Sequence, residues 1–239
     1  MDGVSPGTVE KATPHPLPRQ AARALLIPYP PVSPARTVQS PIALLLVDVI
    51  NDLDFPGSGA LVRAAERMAG RLARLVARAR KSGVPVIYVN DNFGRWQSDW
   101  RSVVERCLAP EAPGHRVVER LHPTDQDFFV LKPKHSGFFS TPLDILLRYL
   151  GVDTVILAGM AADICILSTA NDAYMRDYRV VVPRDGVAAN TRAKTEFALT
   201  EIREVLKGST PACASIRFGP ARRRRARGAK PRAAGRVVG

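Results

Sequence analysis

Residues 154–174 read TVILAGMAADICILSTANDAY, and this stretch decides the predicted fold. It opens with a short apolar run, 154–158, which has the length and composition of a buried strand. Gly159 follows, where a tight turn is easily made, and the segment 162–176 has a helical pattern. A strand that turns directly into a helix is the repeating unit of α/β proteins.

The same alternation of strand and helix runs through most of the chain. Residues 42–47 (IALLLV) form a continuous aliphatic run, which is typical of a strand buried on both faces. Residues 58–82 carry an apolar stripe at helical spacing that stops before Gly83. Further strands are predicted at 84–90, 128–131 and 179–182, and further helices at 141–150 and 191–206. This alternation predicts an α/β fold: a three-layer αβα, Rossmann-like structure with a mostly parallel sheet and helices on both faces.

Composition divides the chain into three parts. Residues 1–40 contain eight prolines and no apolar period, so we expect a Pro-rich N-terminal arm there. The net charge is +13, but residues 218–239 carry eight basic side chains and no acid, so the remainder carries only +5. We therefore expect a basic disordered tail at 218–239 and a globular domain at 41–217. The alternative for the tail is an arm that binds nucleic acid or an acidic partner.

Two observations disfavour whole classes of protein. No run approaches the roughly 18 apolar residues of a membrane span, and the first 20 residues lack the apolar centre of a signal peptide. Three cysteines (Cys107, Cys165 and Cys213) are too few and too scattered for a disulfide framework or a zinc cluster. We expect a cytoplasmic protein with no membrane partner, in which a special cysteine would act as a nucleophile.

Three reactive side chains lie where predicted strands end. Asp48 follows the first strand, Lys132 follows the third, and Cys165 falls in the first turn of the helix after the fourth. Each also has a simpler interpretation: Asp48 as a loop cap, Lys132 as a solvent-facing lysine, and Cys165 as an inert buried thiol. The carboxyl ends of parallel strands meet at one edge of a sheet, however, so we expect the three to converge there.

An acid, an amine and a thiol in contact suit nucleophilic catalysis. An ammonium group and a helix N-terminus should lower the pKa of the Cys165 thiol from about 8.5 into the range of roughly 3.5–7.5. The thiolate would attack a carbonyl carbon, Asp48 would take and return the proton, and Lys132 would hold both charges in place. This chemistry predicts hydrolysis of an amide or imide-like C–N bond through a thioester.

The segments around these residues resemble one known family. They are VDVINDLDF around Asp48, LKPKHSGFFST with Lys132 four residues before Ser136, and TVILAGMAADICILSTANDA around Cys165. Their types and order resemble the isochorismatase-like cysteine hydrolase superfamily, whose members include nicotinamidases, N-carbamoylsarcosine amidases and ureidoacrylate amidohydrolases. The resemblance implies that 41–217 is an isochorismatase-like hydrolase domain.

The resemblance also implies a role for each site residue. Asp48 would be the general base and then the general acid, Lys132 would stabilise the thiolate and the transition state, and Cys165 would be the nucleophile. The backbone N–H groups of Ala161 and Cys165 would form the oxyanion hole, and the peptide bond between Met160 and Ala161 would be cis. A homo-oligomer, either a dimer or a tetramer, is implied as well.

The chain departs from the metal-binding members after the second predicted strand. Nicotinamidases carry an Asp-x-His…His metal site there, whereas residues 89–100 of this chain read VNDNFGRWQSDW. The four histidines of the chain form no ligand pair, so we expect no metal and no cofactor. Isochorismatase proper lacks the nucleophilic cysteine, and Cys165 therefore disfavours vinyl-ether hydrolysis.

The same loop supplies candidates for the substrate pocket. Asn92, Phe93 and Trp96 lie beyond a strand end, where loops shape the ligand cleft. Phe138 and Phe139 are further candidates for an apolar wall. The alternatives are a surface loop with one aromatic side chain in the core, and core packing for at least one of the two phenylalanines.

The sequence favours a metal-independent cysteine amidohydrolase whose partner is a small carboxamide, ureido or carbamoyl substrate. The alternative is a non-catalytic binding protein of the same fold that uses its basic tail on nucleic acid or an acidic partner. Nucleic-acid binding by the rest of the chain is not expected. A dinucleotide-dependent oxidoreductase is disfavoured because residues 48–59 read DVINDLDFPGSG, without the Gly-x-Gly-x-x-Gly turn that cradles pyrophosphate.

Overall fold

The computed structural model describes residues 39–94 and 99–219. Along this part of the chain the elements are β1 (Ile42–Val47), α1 (Gly59–Lys81), β2 (Val86–Asp91), α2 (Trp100–Cys107), α3 (His115–Arg120), β3 (Phe128–Lys132), α4 (Leu143–Tyr149), β4 (Thr154–Met160), a π-helical turn (Ala162–Ile166), α5 (Leu167–Tyr174), β5 (Arg179–Val181), β6 (Val187–Ala188), α6 (Arg192–Glu204) and a 3-10 turn (Cys213–Ser215). Within the described residues, no helix is both long and apolar enough to cross a membrane.

The strands form one parallel sheet with β1 at its centre. Their order is β3-β2-β1-β4-β5, and the short β6 pairs with the end of β4. Leu45 of β1 pairs in register with Ile87 of β2 on one side and with Leu157 of β4 on the other. The continuous apolar run of β1 follows from this central position, because both faces and both edges of the strand are covered.

The side chains of β1 alternate between two cores. Leu44 and Leu46 join a buried cluster with α1, α2 and α3, whereas Ala43, Leu45 and Val47 join a second cluster with α4, α5 and α6. Successive residues of a strand point to opposite faces, so one run of six apolar residues serves both layers. Helices therefore cover both faces of the sheet, which confirms the predicted three-layer α/β fold.

Helix α1 forms where the apolar stripe was predicted. Leu61, Ala65, Met68 and Leu72 are buried at intervals of three or four residues and pack onto the first face of the sheet. The chain leaves the helix at Gly83, whose φ of 68° is in the left-handed region that favours glycine.

Three elements were not predicted from the sequence. Helices α2 and α3 have only eight and six residues, and periodicity is a weak signal over so short a stretch. Asp99 caps α2, because its side chain accepts hydrogen bonds from the N–H groups of Arg101 and Ser102. Strand β6 has two residues. The helix predicted at 162–176 is also not continuous, since it begins with the π-helical turn before α5.

Most of the predicted arm and tail lies outside the described residues, so the division into arm, domain and tail stays a prediction. Phe218, the first residue of the predicted tail, packs against the first core cluster. The part of the tail that carries the basic residues begins after this contact.

Candidate active site

The three reactive side chains predicted at strand ends lie together at the carboxyl edge of the sheet. Asp48 directly follows β1, Lys132 ends β3, and Cys165 lies in the π-helical turn after β4. The Lys132 Nζ atom lies 2.9 Å from Asp48 Oδ2 and donates a hydrogen bond to Cys165 Sγ at 3.5 Å. Strand β2 separates β1 from β3, and the long lysine side chain spans that distance.

The backbone fixes the position of Asp48. Its φ of 52° lies in the left-handed region, which aspartate tolerates better than most residues. Its N–H donates to the Val89 carbonyl oxygen at 3.0 Å, and its Oδ1 accepts from the N–H of Asp91 at 2.8 Å. Both contacts are with β2, so the strand next to β1 sets the orientation of the carboxylate. Burial raises the pKa of Asp48 above its usual value, and the charge of Lys132 opposes this shift.

Lys132 is fully buried, and acceptors surround its charge. Besides Asp48, its Nζ lies 3.6 Å from Asp91 Oδ2 and donates to the Lys134 carbonyl oxygen at 3.2 Å. Burial acts to lower the pKa of Lys132, but the neighbouring charges, Asp48 first, raise it, and the net shift is upward. Lys132 is therefore a permanent ammonium ion at neutral pH.

The predicted lowering of the thiol pKa is wrong. Burial and, after it, the Asp48 carboxylate raise the pKa of Cys165 to about 12, against the opposing effect of Lys132. The argument from the sequence counted the effects of the ammonium ion and of a helix N-terminus on this pKa, but not those of burial and of the Asp48 carboxylate. In the free protein Cys165 is thus a neutral thiol next to a carboxylate whose own pKa is raised. A thiol in that setting becomes nucleophilic when the carboxylate takes its proton.

The backbone before Cys165 contains a cis peptide bond, and Cys165 itself lies in a π-helical turn. The peptide bond between Met160 and Ala161 is cis, as the family resemblance implied. The Ala161 carbonyl oxygen accepts from the N–H groups of Ile164 and Ile166, both at 3.2 Å, and this closes the π-helical turn. Ala161 and Cys165 thus belong to one turn, and the use of their N–H groups as an oxyanion hole stays a prediction.

Two further side chains reach the site, and the sequence analysis gave neither of them a role there. Asp91 ends β2 and pairs in register with Lys132, so its carboxylate lies beside the ammonium group. His135 is exposed, and its Nδ1 lies 3.9 Å from Cys165 Sγ. One feature of the sequence could have identified both residues: each lies at or just beyond a strand end, as Asp48 does.

The loop that carries His135 is anchored on α5. The Ser136 hydroxyl donates to the Asp172 carboxylate, and the N–H of Gly137 donates to Thr169 Oγ1 at 3.0 Å. A Cβ atom at Gly137 would lie 2.7 Å from a methyl group of Val89, so only glycine allows so close an approach. These contacts fix the backbone of the loop beside Cys165.

Two of the predicted pocket residues, Asn92 and Phe93, directly follow β2. Asn92 is buried, and its Oδ1 accepts from the N–H of Gly94 at 2.9 Å. The Phe93 ring lies 4.5 Å from the guanidinium group of Arg106 and packs against the first core cluster. Trp96 lies outside the described residues. These three roles in a pocket stay predictions.

Phe138 lies in the second core cluster, on the opposite face of the sheet from Phe93. Its ring stacks on Tyr178 at 5.9 Å, and the guanidinium group of Arg176 lies 4.9 Å from it. Its neighbour Phe139 is 55% exposed. Of these two phenylalanines, Phe138 is the one that packs in the core. The role of Phe138 in a pocket also stays a prediction.

Residues 39–94 and 99–219 contain no group of three or more histidine, cysteine, aspartate or glutamate side chains arranged to hold a metal ion. Asp91 stands where the Asp-x-His pattern of nicotinamidases begins, and Phe93 stands in place of the histidine. The Asp91 carboxylate lies near Lys132 Nζ and accepts a hydrogen bond from the N–H of Phe93.

A comparison with known families identifies the chain. Residues 42–214 match the sequence model of the isochorismatase domain. The chain belongs to the isochorismatase family. It is therefore a hydrolase related to amidohydrolases that act on non-peptide C–N bonds.

Several isochorismatase-family relatives are similar over the same region. YaaI of Bacillus subtilis strain 168 is 40% identical over 164 residues, which cover 69% of this chain and 90% of that protein. The ureidoacrylate amidohydrolase RutB of Methylobacterium radiotolerans is 33% identical over 59% of this chain and 65% of its own length. The crystal structure of N-carbamoylsarcosine amidase from Thermoplasma acidophilum matches with a TM-score of 0.60 at 29% identity, over 75% of this chain and all of that one.

Proposed function

We propose that this isochorismatase-family hydrolase is a metal-independent cysteine amidohydrolase, which cleaves a C–N bond of a small carboxamide, ureido or carbamoyl compound through a thioester. The observation that carries the proposal is the position of Lys132 Nζ, within reach of both the Asp48 carboxylate and the Cys165 thiol. An acid, a fixed positive charge and a nucleophile in mutual contact are the parts that acyl transfer requires.

In the first half of the proposed reaction, Asp48 accepts the thiol proton while Cys165 Sγ attacks the carbonyl carbon of the substrate. The carbonyl oxygen becomes an oxyanion, which the N–H groups of Ala161 and Cys165 would stabilise. When this intermediate collapses, the C–N bond breaks and the nitrogen leaves with the proton that Asp48 returns. The products of this half are ammonia or an amine and a thioester on Cys165.

In the second half, a water molecule takes the place of the leaving group. Asp48 removes one proton from the water as its oxygen attacks the thioester carbonyl, and the C–S bond then breaks. The proton on Asp48 returns to Cys165 Sγ, and the acid product leaves. Lys132 keeps its charge throughout, so it stabilises each anionic state of the pair without exchanging a proton.

The relatives support the substrate class. Their names, ureidoacrylate amidohydrolase and N-carbamoylsarcosine amidase, both denote substrates with a carbamoyl nitrogen. His135 at the edge of the site adds a hydrogen-bonding group 3.9 Å from the sulfur, where a substrate substituent would pass. We therefore place ureido and carbamoyl acids first among the compounds to test.

The test is ammonia release from a panel of ureidoacrylate, N-carbamoylsarcosine, nicotinamide and simple carboxamides. We expect release from at least one of these compounds by the full chain and none by Cys165→Ala, with an acyl adduct on the Cys165 peptide in mass spectra of the quenched reaction. The same assay with EDTA should give an unchanged rate. Turnover that survives Cys165→Ala would contradict the thioester, and turnover lost with EDTA and restored by zinc would contradict metal independence.

A further inference from the structure

A second cavity lies away from the catalytic residues. It has a volume of about 700 Å³ and lies between α1 and α6, with the segment 184–191 also in its lining. Asp48, Lys132 and Cys165 are not among the residues that line it. The volume falls within the range of small-molecule sites, roughly 300–1,000 Å³.

Five arginines line this cavity, which is called the arginine cleft below. Arg67 and Arg71 of α1 are four residues apart and so share a helix face, while Arg192 and Arg203 come from α6 and Arg184 from the loop before it. The acidic side chains in the lining are Asp185 and Glu196. The lining thus carries three more positive than negative charges.

The ion pairs of the described residues do not neutralise this excess. Arg71 Nε lies 3.9 Å from Asp185 Oδ2, at the outer limit of an ion pair. Arg184 and Arg203 donate to neutral oxygens, among them those of Thr210.

The other two arginines of the cleft stand apart from these contacts. The guanidinium groups of Arg67 and Arg192 have no hydrogen-bond or ion-pair partner within the described chain. Arg67 and Arg71 are four residues apart on α1, and like charges at that spacing repel each other. A bound anion would reduce this repulsion.

We propose that the arginine cleft binds a small molecule carrying at least two phosphate groups. Guanidinium groups are planar forks of N–H donors that match phosphate oxygens in bidentate pairs, and they stay charged at every relevant pH. Five of them around one cavity suit a ligand with more than one phosphate. A cavity of about 700 Å³ also fits a compact anion better than a long nucleic-acid duplex. The proposal is independent of the proposed hydrolysis, because Asp48, Lys132 and Cys165 do not line the cleft.

The test uses inorganic pyrophosphate as the probe and isothermal titration calorimetry on the full chain at physiological salt. The variant is Arg67→Gln with Arg192→Gln, which removes two charges without breaking a contact of the described residues. The control is Arg63→Gln with Arg74→Gln, which removes two exposed charges from α1 outside the cleft. We expect saturable binding to the full chain, at least tenfold weaker in the variant and unchanged in the control.

Three outcomes would overturn the proposal. Without saturable binding of pyrophosphate, there is no phosphate site in the cleft. Binding that survives in the variant, or that weakens equally in the control, would place the anion elsewhere, for example on the arginines of 220–239, which both proteins keep. If instead a DNA oligonucleotide binds and loses affinity in the variant while pyrophosphate does not bind, the cleft would be a nucleic-acid surface.

Discussion

At the scale of single residues, the site depends on a buried ammonium ion. Removing a lysine charge from water costs several kcal/mol unless partners compensate it, and Lys132 has Asp48, Asp91 and a carbonyl oxygen within 3.6 Å. Burial and the Asp48 carboxylate explain why the thiol is neutral, since Asp48 acts on the pKa of Cys165 as well as on that of Lys132. The net effect on the thiol is therefore a balance between one cation and one nearby anion in a buried setting.

The cation side of this balance is tested by Lys132→Met. The change leaves the buried Asp48 carboxylate without its cationic partner, so we expect the free energy of unfolding to fall by about 3 kcal/mol. It also removes the group that favours the thiolate, and iodoacetamide should alkylate Cys165 at least tenfold more slowly at pH 9. The matched control is Lys134→Met, whose side chain is exposed and which contacts Lys132 only through its carbonyl oxygen. Equal effects of the two changes would show that Lys132 has no special role.

The anion side is tested by Asp48→Asn, which keeps the shape of the side chain but removes its charge and its basicity. Turnover should fall by a factor of about 10³ or more, because no group is left to take the thiol proton. The pKa of Cys165, about 12 in the free protein, should nevertheless fall, because a negative charge that opposes thiolate formation is gone. The alkylation–pH profile, followed by peptide mapping, should therefore move to lower pH. A profile that moves to higher pH would contradict this account of the thiol.

At the scale of elements, the site depends on how closely β4 approaches β1. Gly159 pairs with Val47 and has a φ of 123°, and a Cβ atom there would lie 2.1 Å from the Val47 carbonyl oxygen. Val47 immediately precedes Asp48, and Gly159 immediately precedes the cis peptide. The contact between the two strands thus sets the distance between Asp48 and the turn that carries Cys165.

The close approach predicts that Gly159→Ala is strongly destabilising. The left-handed φ and the clash with backbone should together lower the free energy of unfolding by about 3 kcal/mol or more in urea titrations. Gly70→Ala is the control, because Gly70 lies inside α1 with open space around it. That change should raise the stability by roughly 0.5–1 kcal/mol. A Gly159→Ala protein as stable as the parent would show that the strand ends are free to separate.

At the scale of the whole molecule, the basic residues of the predicted tail and the candidate catalytic residues lie in different parts of the sequence. The eight basic residues of the predicted tail lie beyond residue 219, and every catalytic candidate lies between 48 and 165. Deleting 220–239, which spares the Phe218 contact with the core, lowers the net charge from +13 to +5. We expect ammonia release to stay within twofold of the full chain and salt-dependent retention on immobilised DNA to drop. Loss of hydrolysis on deletion would show that the tail contributes to the site.

The sequence by itself determined the order of the main strands and helices and the three reactive positions. Strand and helix periodicities are local, so the runs at 42–47 and 58–82 could be read without knowledge of their neighbours. The positions of Asp48, Lys132 and Cys165 followed from one general rule, that the carboxyl ends of parallel strands share an edge. The short helices α2 and α3 and the two-residue strand β6 were not predicted, because a few residues carry little periodicity.

Only the tertiary structure decided what depends on distance through space. The pKa of Cys165 rises because burial and Asp48, 117 positions away in the chain, outweigh the effect of Lys132. One loop, anchored on α5, places His135 within 3.9 Å of the sulfur and Phe138 in the core. The arginine cleft likewise exists only once folding brings residues of α1, of the segment 184–191 and of α6 around one cavity. Electrostatic and packing energies are sums over neighbours in space. The sequence alone does not say which residues become neighbours when the chain folds.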